Sequence, residues 1–188
     1  MAVLSIVSPL FSTTPAHRRL PDYRCIKEHD LVSRPFTISS APVCGSDAKA
    51  LIARLDAELN ERYPDVPLDH LVLTPAQVAE GGGTFLIARE GGRLLGCVAL
   101  RRLDRASGQV MRMYVLPAAR RARVGRRLLT ELERHARQIG LRRLVLHTGT
   151  RQPEAIRLYE STGFTRIPGF GPYTPSHPGV CMAKAIAC

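Results

Sequence analysis

The chain contains no tryptophan, and its aromatic residues amount to only 5%. Proteins that read single-stranded nucleic acid stack bases on aromatic side chains, so this poverty weighs against such a reading. No apolar run approaches the ~20 residues that a membrane-spanning helix needs. Acidic residues are scarce as well: Asp and Glu number 16 against 27 Lys and Arg, a formal net charge of +11. That imbalance favours anionic partners without naming one, and nucleic acid, an anionic membrane surface or a polyphosphate cofactor would each satisfy it. The five cysteines, Cys25, Cys44, Cys97, Cys181 and Cys188, are odd in number and form no C-x-x-C pair. This argues against a disulfide framework and offers no zinc-ligand spacing. Free thiols in a reducing, cytoplasmic setting and no metal site are the expectation.

What is present is an ordinary globular composition. The chain has 188 residues, 45% hydrophobic and 23% charged, which suits one domain of common size. Residues 1–35 differ from the rest. They open on a short apolar stretch, continue in Ser, Thr, Pro and Arg, and hold no acid before Asp22. A secretory signal would place positive charge ahead of its apolar core, and none is there. The stretch is acid-poor and hydroxyl-rich, as transit peptides are, but the plainer expectation is a disordered N-terminal extension ahead of a domain spanning 36–187.

From Phe36 the pattern becomes regular. "FTISSAPV" (36–43) reads as a strand. Residues 46–64 read as a helix capped by Ser46, with Leu51, Ile52, Leu55 and Leu59 on one stripe. Residues 73–83 read as a short helix with Thr74 as cap and Pro75 at its first position. Strands at 84–90 and 93–103 flank Gly91-Gly92, a two-residue hairpin signal. A strand at 109–116 follows. Next come a helix over 121–139, with Val124, Leu128, Leu132, Ala136 and Ile139 on one face, a strand at 141–148, a short helix at 153–162, and closing strands in "FTRI" and "GVCMAKAI". The order β-α-α-β-β-β-α-β-α-β-β predicts an α+β fold, antiparallel in its first half, with one strand–helix–strand crossover.

The chemistry concentrates at "LPAARRARVGRRLL" (116–129), where five arginines surround Gly125. A strand leads through Pro117 into a helix start. Such a start exposes free N–H groups and the positive end of a dipole, a ready anion site. Gly125 would let a phosphate approach the backbone, and Arg120, Arg121, Arg123 and Arg126 would add charge-assisted contacts. The cluster holds no aromatic residue, and a strand stands where a helix–turn–helix reader would place its first helix, so nucleic acid is the weaker partner.

Two motifs in this order resemble the GNAT superfamily of acyl-CoA-dependent N-acetyltransferases. "RRARVG" (120–125) matches [RQ]-x-x-G-x-[GA] except at its inner glycine. "AIRLYESTGF" (155–164) matches A-x-x-x-Y-x-x-x-G-[FY]. The resemblance covers roughly 36–187 and implies a mixed, mostly antiparallel sheet with helices on both faces. It implies acetyl-CoA as co-substrate and direct attack by a primary amine, from a small molecule or a peptide, in a ternary complex. The backbone of Met113 and Val115 would pair with the pantetheine amides. The pyrophosphate would rest on Arg121, Ala122, Arg123, Val124, Gly125 and Arg126, with Gln152 as a further cofactor contact. Tyr159 would protonate the leaving thiolate. Many such enzymes are homodimers.

The sequence departs from its relatives at informative places. Arg123 stands where the first loop glycine is expected. Gln109 stands where many relatives carry an acid on the strand, and Gln cannot take a proton. His147 stands where the next strand often carries another acid, and an imidazole of ordinary pKa ~6.5 suits a base. Gln152 replaces an Asn. The loop "RIPGFGPY" (166–173), with Phe170 and Tyr173, is placed to shape an acceptor site, towards which Asp65, Asp69 and Glu80 would draw a cationic amine. A CoA-binding module with impaired catalysis, or a basic nucleic-acid-binding protein, are the rival readings.

Overall fold

The structure, a computed structural model, describes residues 35–66, 72–79, 81–173 and 179–186. The extension expected over 1–35 lies outside these residues but for Pro35, as do Asp69 and Glu80. The elements follow the expected order. They are β1 (Thr37–Ser40), α1 (Ser46–Arg62), a 3-10 turn (Pro75–Val78), β2 (Gly83–Glu90), β3 (Arg93–Arg102) and β4 (Ser107–Val115). A second 3-10 turn (Pro117–Ala119), α2 (Val124–Gln138), β5 (Arg143–Thr148), α3 (Pro153–Ser161), β6 (Thr165–Ile167) and β7 (Val180–Ala185) complete the chain.

Seven strands form one sheet in the order β1-β2-β3-β4-β5-β7-β6. Every neighbouring pair is antiparallel except β4 and β5, the pair joined by the α2 crossover. The expected α+β sandwich is the observed one. Alternation along the strands decides which helix covers which face. Phe85, Ile87, Cys97, Ala99 and Met111 pack with Leu51, Leu55 and Leu59 of α1 on one face. Leu86, Val98, Leu100, Val110, Leu144 and Leu146 pack with Leu128, Leu129 and Leu132 of α2 on the other, together with Tyr159 of α3. Each fully buried leucine contributes roughly 1.5–3 kcal/mol.

The differences from the sequence reading are local. The cap of α1 is Gly45, not Ser46. The helix expected at 73–83 is one 3-10 turn, closed by a capping box in which the Thr74 N–H donates to Gln77 Oε1 at 2.9 Å. Gly91 and Gly92 take φ values of 51° and 85°, the primed turn that fits strand twist. The helix expected from 121 begins at Val124, because Arg121 and Arg123 are left-handed, at φ 65° and 60°.

Candidate functional site

β4 and β5 pair only at Ser107↔Arg143, Gly108↔Leu144 and Gln109↔Val145. Beyond Gln109 the two strands part, although β5 continues to Thr148 on its β7 side. The cause lies in β4. One extra residue opposes β3 between Cys97 and Ala99, and Arg112 takes a left-handed φ of 50° there. A bulge of this kind bends the strand that carries it. The strained residue is held from two sides. Its guanidinium, 8% exposed, forms an ion pair with Asp56 of α1, and its carbonyl accepts from the Cys97 thiol at 3.4 Å.

Parting leaves an open strand edge. The Leu116 N–H donates to Leu95 of β3 at 2.8 Å. By strand alternation Val115 and Met113 then point their backbone polar groups away from β3, towards β5. The Val115 carbonyl accepts from the Arg120 Nε at 3.1 Å. The same guanidinium reaches Glu58 of α1 at 2.6 Å. Glu58 also pairs with Arg62 at 2.7 Å, and Arg62 with Glu154 of α3 at 2.5 Å. The Arg151 N–H donates to the Tyr63 hydroxyl at 2.7 Å, and that ring fills the space over Gly149. The last turn of α1 thus ties the β4–α2 turn to the β5–α3 loop across the opening.

At the mouth of the opening, two left-handed residues bracket Ala122 just ahead of α2. Left-handed conformations alternating with ordinary ones aim successive N–H groups into one concavity suited to an anion. No side chain caps this helix end, and its first backbone bond runs from Arg127 N–H to Arg123 C=O at 3.1 Å. The N–H groups of Val124, Gly125 and Arg126 therefore have no acceptor within the helix. The four arginines divide. Arg120 is turned to Val115 and Glu58, and Arg126 donates to the Ser161 carbonyl and hydroxyl at 3.1 Å. Arg121 and Arg123 are exposed. Gly125 serves differently from the expectation. A methyl group there would meet Leu158 Cδ2 at 3.0 Å and Met113 Cε at 3.2 Å, so the glycine lets α2 close against α3 and β4.

Tyr159 sits on the α2–α3 side of the sheet, 6% exposed and edge-on to Phe164 at 5.7 Å. Burial alone pushes its phenol well above the usual tyrosine range, so the hydroxyl keeps its proton. His147 projects from the opposite face of β5. Its ring stacks on Tyr173 at 4.2 Å, and Gly179 packs against its edge so closely that a methyl there would lie 2.1 Å from Nε2. The loop that carries Tyr173 folds back through paired backbone bonds between Phe170 and Tyr173, of 3.1 and 2.9 Å. Gln152 turns inward: its Oε1 accepts from the Gly149 N–H and the Thr148 hydroxyl, both at 3.3 Å. Gln109 is buried in the last rung of the β4–β5 ladder, and its Oε1 accepts from Arg101 at 2.5 Å. Asp65 is exposed at the end of α1. The nearby cavity of about 350 Å³ lies along the flank of α1, lined by Val43, Lys49, Ile52, Asp56 and Leu73.

Several of these contacts escape the sequence. Arg112 and Asp56 are 56 residues apart, Arg120 and Glu58 are 62 apart, and no local periodicity announces either pair. Arg101 and Gln109 face each other across a hairpin, and knowing the register would have found them.

This arrangement matches known proteins. The model of the acetyltransferase (GNAT) family matches residues 49–164. The IAA acetyltransferase of Azospirillum brasilense is 39% identical over 137 residues, which span 72% of this chain and 88% of the relative. A solved structure from Klebsiella pneumoniae, assigned as an acyl-CoA N-acyltransferase, superposes with a TM-score of 0.70 at 32% identity and covers 81% of this chain and 98% of its own. The PaiA N-acetyltransferase of Thermoplasma acidophilum, solved with coenzyme A, has a TM-score of 0.61 at 16% identity, over 80% of this chain and 99% of its own. The chain belongs to the GNAT family and is an N-acetyltransferase.

Proposed function

We propose that the parted strands hold acetyl-CoA and that an amine attacks its thioester directly, within a ternary complex. The observation that carries this is the open edge of β4 from Met113 to Val115, leading to an uncapped helix start just after two left-handed arginines. An extended pantetheine arm carries amides that a free strand edge can pair with. A pyrophosphate fits the N–H groups from Arg121 to Arg126, and the exposed Arg121 and Arg123 supply mobile positive charge. The coenzyme A of the Thermoplasma relative supports the same class of ligand.

The acid and base candidates lie on opposite faces of β5. Tyr159, on the α3 side and protonated, is the donor to the leaving thiolate. His147, on the α1 side and held by Tyr173, is the candidate base for the acceptor amine. A His147→Ala variant that keeps full kcat/KM from about pH 6 to 9 removes it from that role. Gln152 spends its carbonyl on its own loop and keeps only its amide N–H groups for the cofactor. The test of the reading is calorimetric titration of acetyl-CoA into the full chain at ~150 mM salt, where loose charge attraction is screened. Micromolar, one-to-one binding is expected. Absence of binding overturns the reading.

A further inference from the structure

Arg101 is a half-buried charge on the α1 face of this sheet. Among the described residues its Nε is buried without a hydrogen-bond partner, and its guanidinium donates to the neutral Gln109 amide. Among the described residues, Arg101 forms no ion pair. Of the acids on α1, Asp47 pairs with Arg89, Asp56 with Arg112, and Glu58 with Arg62 and Arg120. Arg101 is half-buried, and its shielded Nε carries a desolvation cost that a bound anion would offset.

Its position gives the charge a use. Arg101, Gln109 and Val145 form one lateral row across β3, β4 and β5, on the face that α1 covers. This row is the last before the strands part. The next residues on that face are Met111 and His147, the first pair beyond the vertex. The guanidinium therefore lies at the floor of the opening, on the His147 side and away from Tyr159. Gln109 sharpens the point. A carboxylate at that position would neutralise Arg101 from within the protein, whereas an amide only orients it.

We propose that Arg101 receives a carboxylate of the acceptor, so that the substrate is an amine bearing an acidic group a few bonds away, of the amino-acid type. This rests on the acetyltransferase reading above. It replaces the expectation of a cationic acceptor drawn by surface acids. A guanidinium fork takes a carboxylate bidentately, which would hold the amine in a fixed direction from the floor of the cleft.

The test compares matched acceptors on the full chain with acetyl-CoA: the proteinogenic amino acids, β-alanine and γ-aminobutyrate, each against its primary amide. CoA release is followed by a thiol reagent. Acids are expected to exceed their amides in kcat/KM by at least about tenfold. Arg101→Gln is expected to raise KM for the acids about 10- to 100-fold, as loss of a charged hydrogen bond does, and to leave the amides nearly unchanged. Arg101→Lys recovers part of the loss. Gln109→Glu raises KM for acids as well, because it pairs the guanidinium internally. The Kd for acetyl-CoA, unchanged in all three variants, shows that they fold. Equal use of acids and amides overturns the proposal, as does an equal loss on both in Arg101→Gln. So does a wild-type protein that binds acetyl-CoA yet turns over no acid. A wild-type protein that binds no acetyl-CoA overturns the cofactor reading instead. The same acids and amides titrated alone then test Arg101 directly, and equal heats overturn it.

Discussion

Arg120 donates from Nε to the Val115 carbonyl oxygen at 3.1 Å, so the residue that opens the β4–α2 turn satisfies the open edge of β4 itself. A pantetheine amide that pairs with that oxygen has to displace the guanidinium. Arg120 is then a competitor for the cofactor rather than one of its phosphate contacts. Arg120→Ala is expected to bind acetyl-CoA more tightly, with a Kd lowered by up to about tenfold, the worth of one hydrogen bond no longer broken. Calorimetry reads this directly. A Kd raised tenfold would return Arg120 to the phosphate site.

Tyr159 makes a separate prediction, because burial raises its pKa and no charged group among the described residues offsets that. The phenol stays protonated through and beyond the ordinary tyrosine range near ~10. As an acid it is therefore ready at every pH where the fold survives, and the alkaline limb of kcat does not bend on its account. Tyr159→Phe keeps the edge-on packing against Phe164 and removes only the proton. Its kcat is expected to fall about 10²- to 10⁴-fold with the acetyl-CoA Kd unchanged. A loss seen in Kd and not in kcat would assign the tyrosine to binding.

The balance between what was legible and what was not follows sequence separation. The Gly91-Gly92 hairpin, the stripe of α2 and the crossover between β4 and β5 all follow from neighbours a few residues apart, and each is where it was expected. Met113, Val115 and Tyr159 were reached through the resemblance, and the structure places them on the opening or on the helix beside it. The direction of each arginine was not legible. Arg120 and Arg126 have the same composition signal as Arg121 and Arg123, yet distant Glu58 and Ser161 hold the first two. The half-buried Arg101 looks in sequence like a surface charge at a strand end, and its meaning depends on register with Gln109.

Cys97 carries a prediction about pH. It is fully buried beneath the β4 bulge, and burial pushes its thiol from 9.0 up to about 12. A raised folded-state value means that the native state holds the proton longer than the unfolded chain. Stability from this group is intact below about 9 and falls as the pH climbs towards about 12. Urea midpoints measured across that window are expected to drop more steeply in the wild type than in Cys97→Ala. Thiol labelling supplies the check on burial. The exposed Cys44 reacts in the native protein, whereas Cys97 reacts only on unfolding. Rapid native labelling of Cys97 would overturn both statements.

Gly125 separates two explanations of one motif position. The sequence suggests that the glycine lets a phosphate approach the backbone. The structure points its missing side chain at Leu158, Met113 and Val115, at 3.0, 3.2 and 3.6 Å, which is towards the sheet. The two close contacts, Leu158 Cδ2 and Met113 Cε, are ends of flexible side chains that a methyl displaces by tenths of an ångström, whereas Val115 at 3.6 Å is in ordinary contact. Gly125→Ala gains about 1 kcal/mol of helix propensity and loses roughly 1–3 kcal/mol to crowding, a net loss below about 2 kcal/mol. Because the methyl leaves the concavity around Ala122 untouched, the acetyl-CoA Kd is expected to stay within about threefold, less than the worth of one hydrogen bond. Denaturant midpoints and calorimetry on the same preparation give both numbers. A stable variant that binds acetyl-CoA more than tenfold worse would show that the phosphate and not the packing requires the glycine.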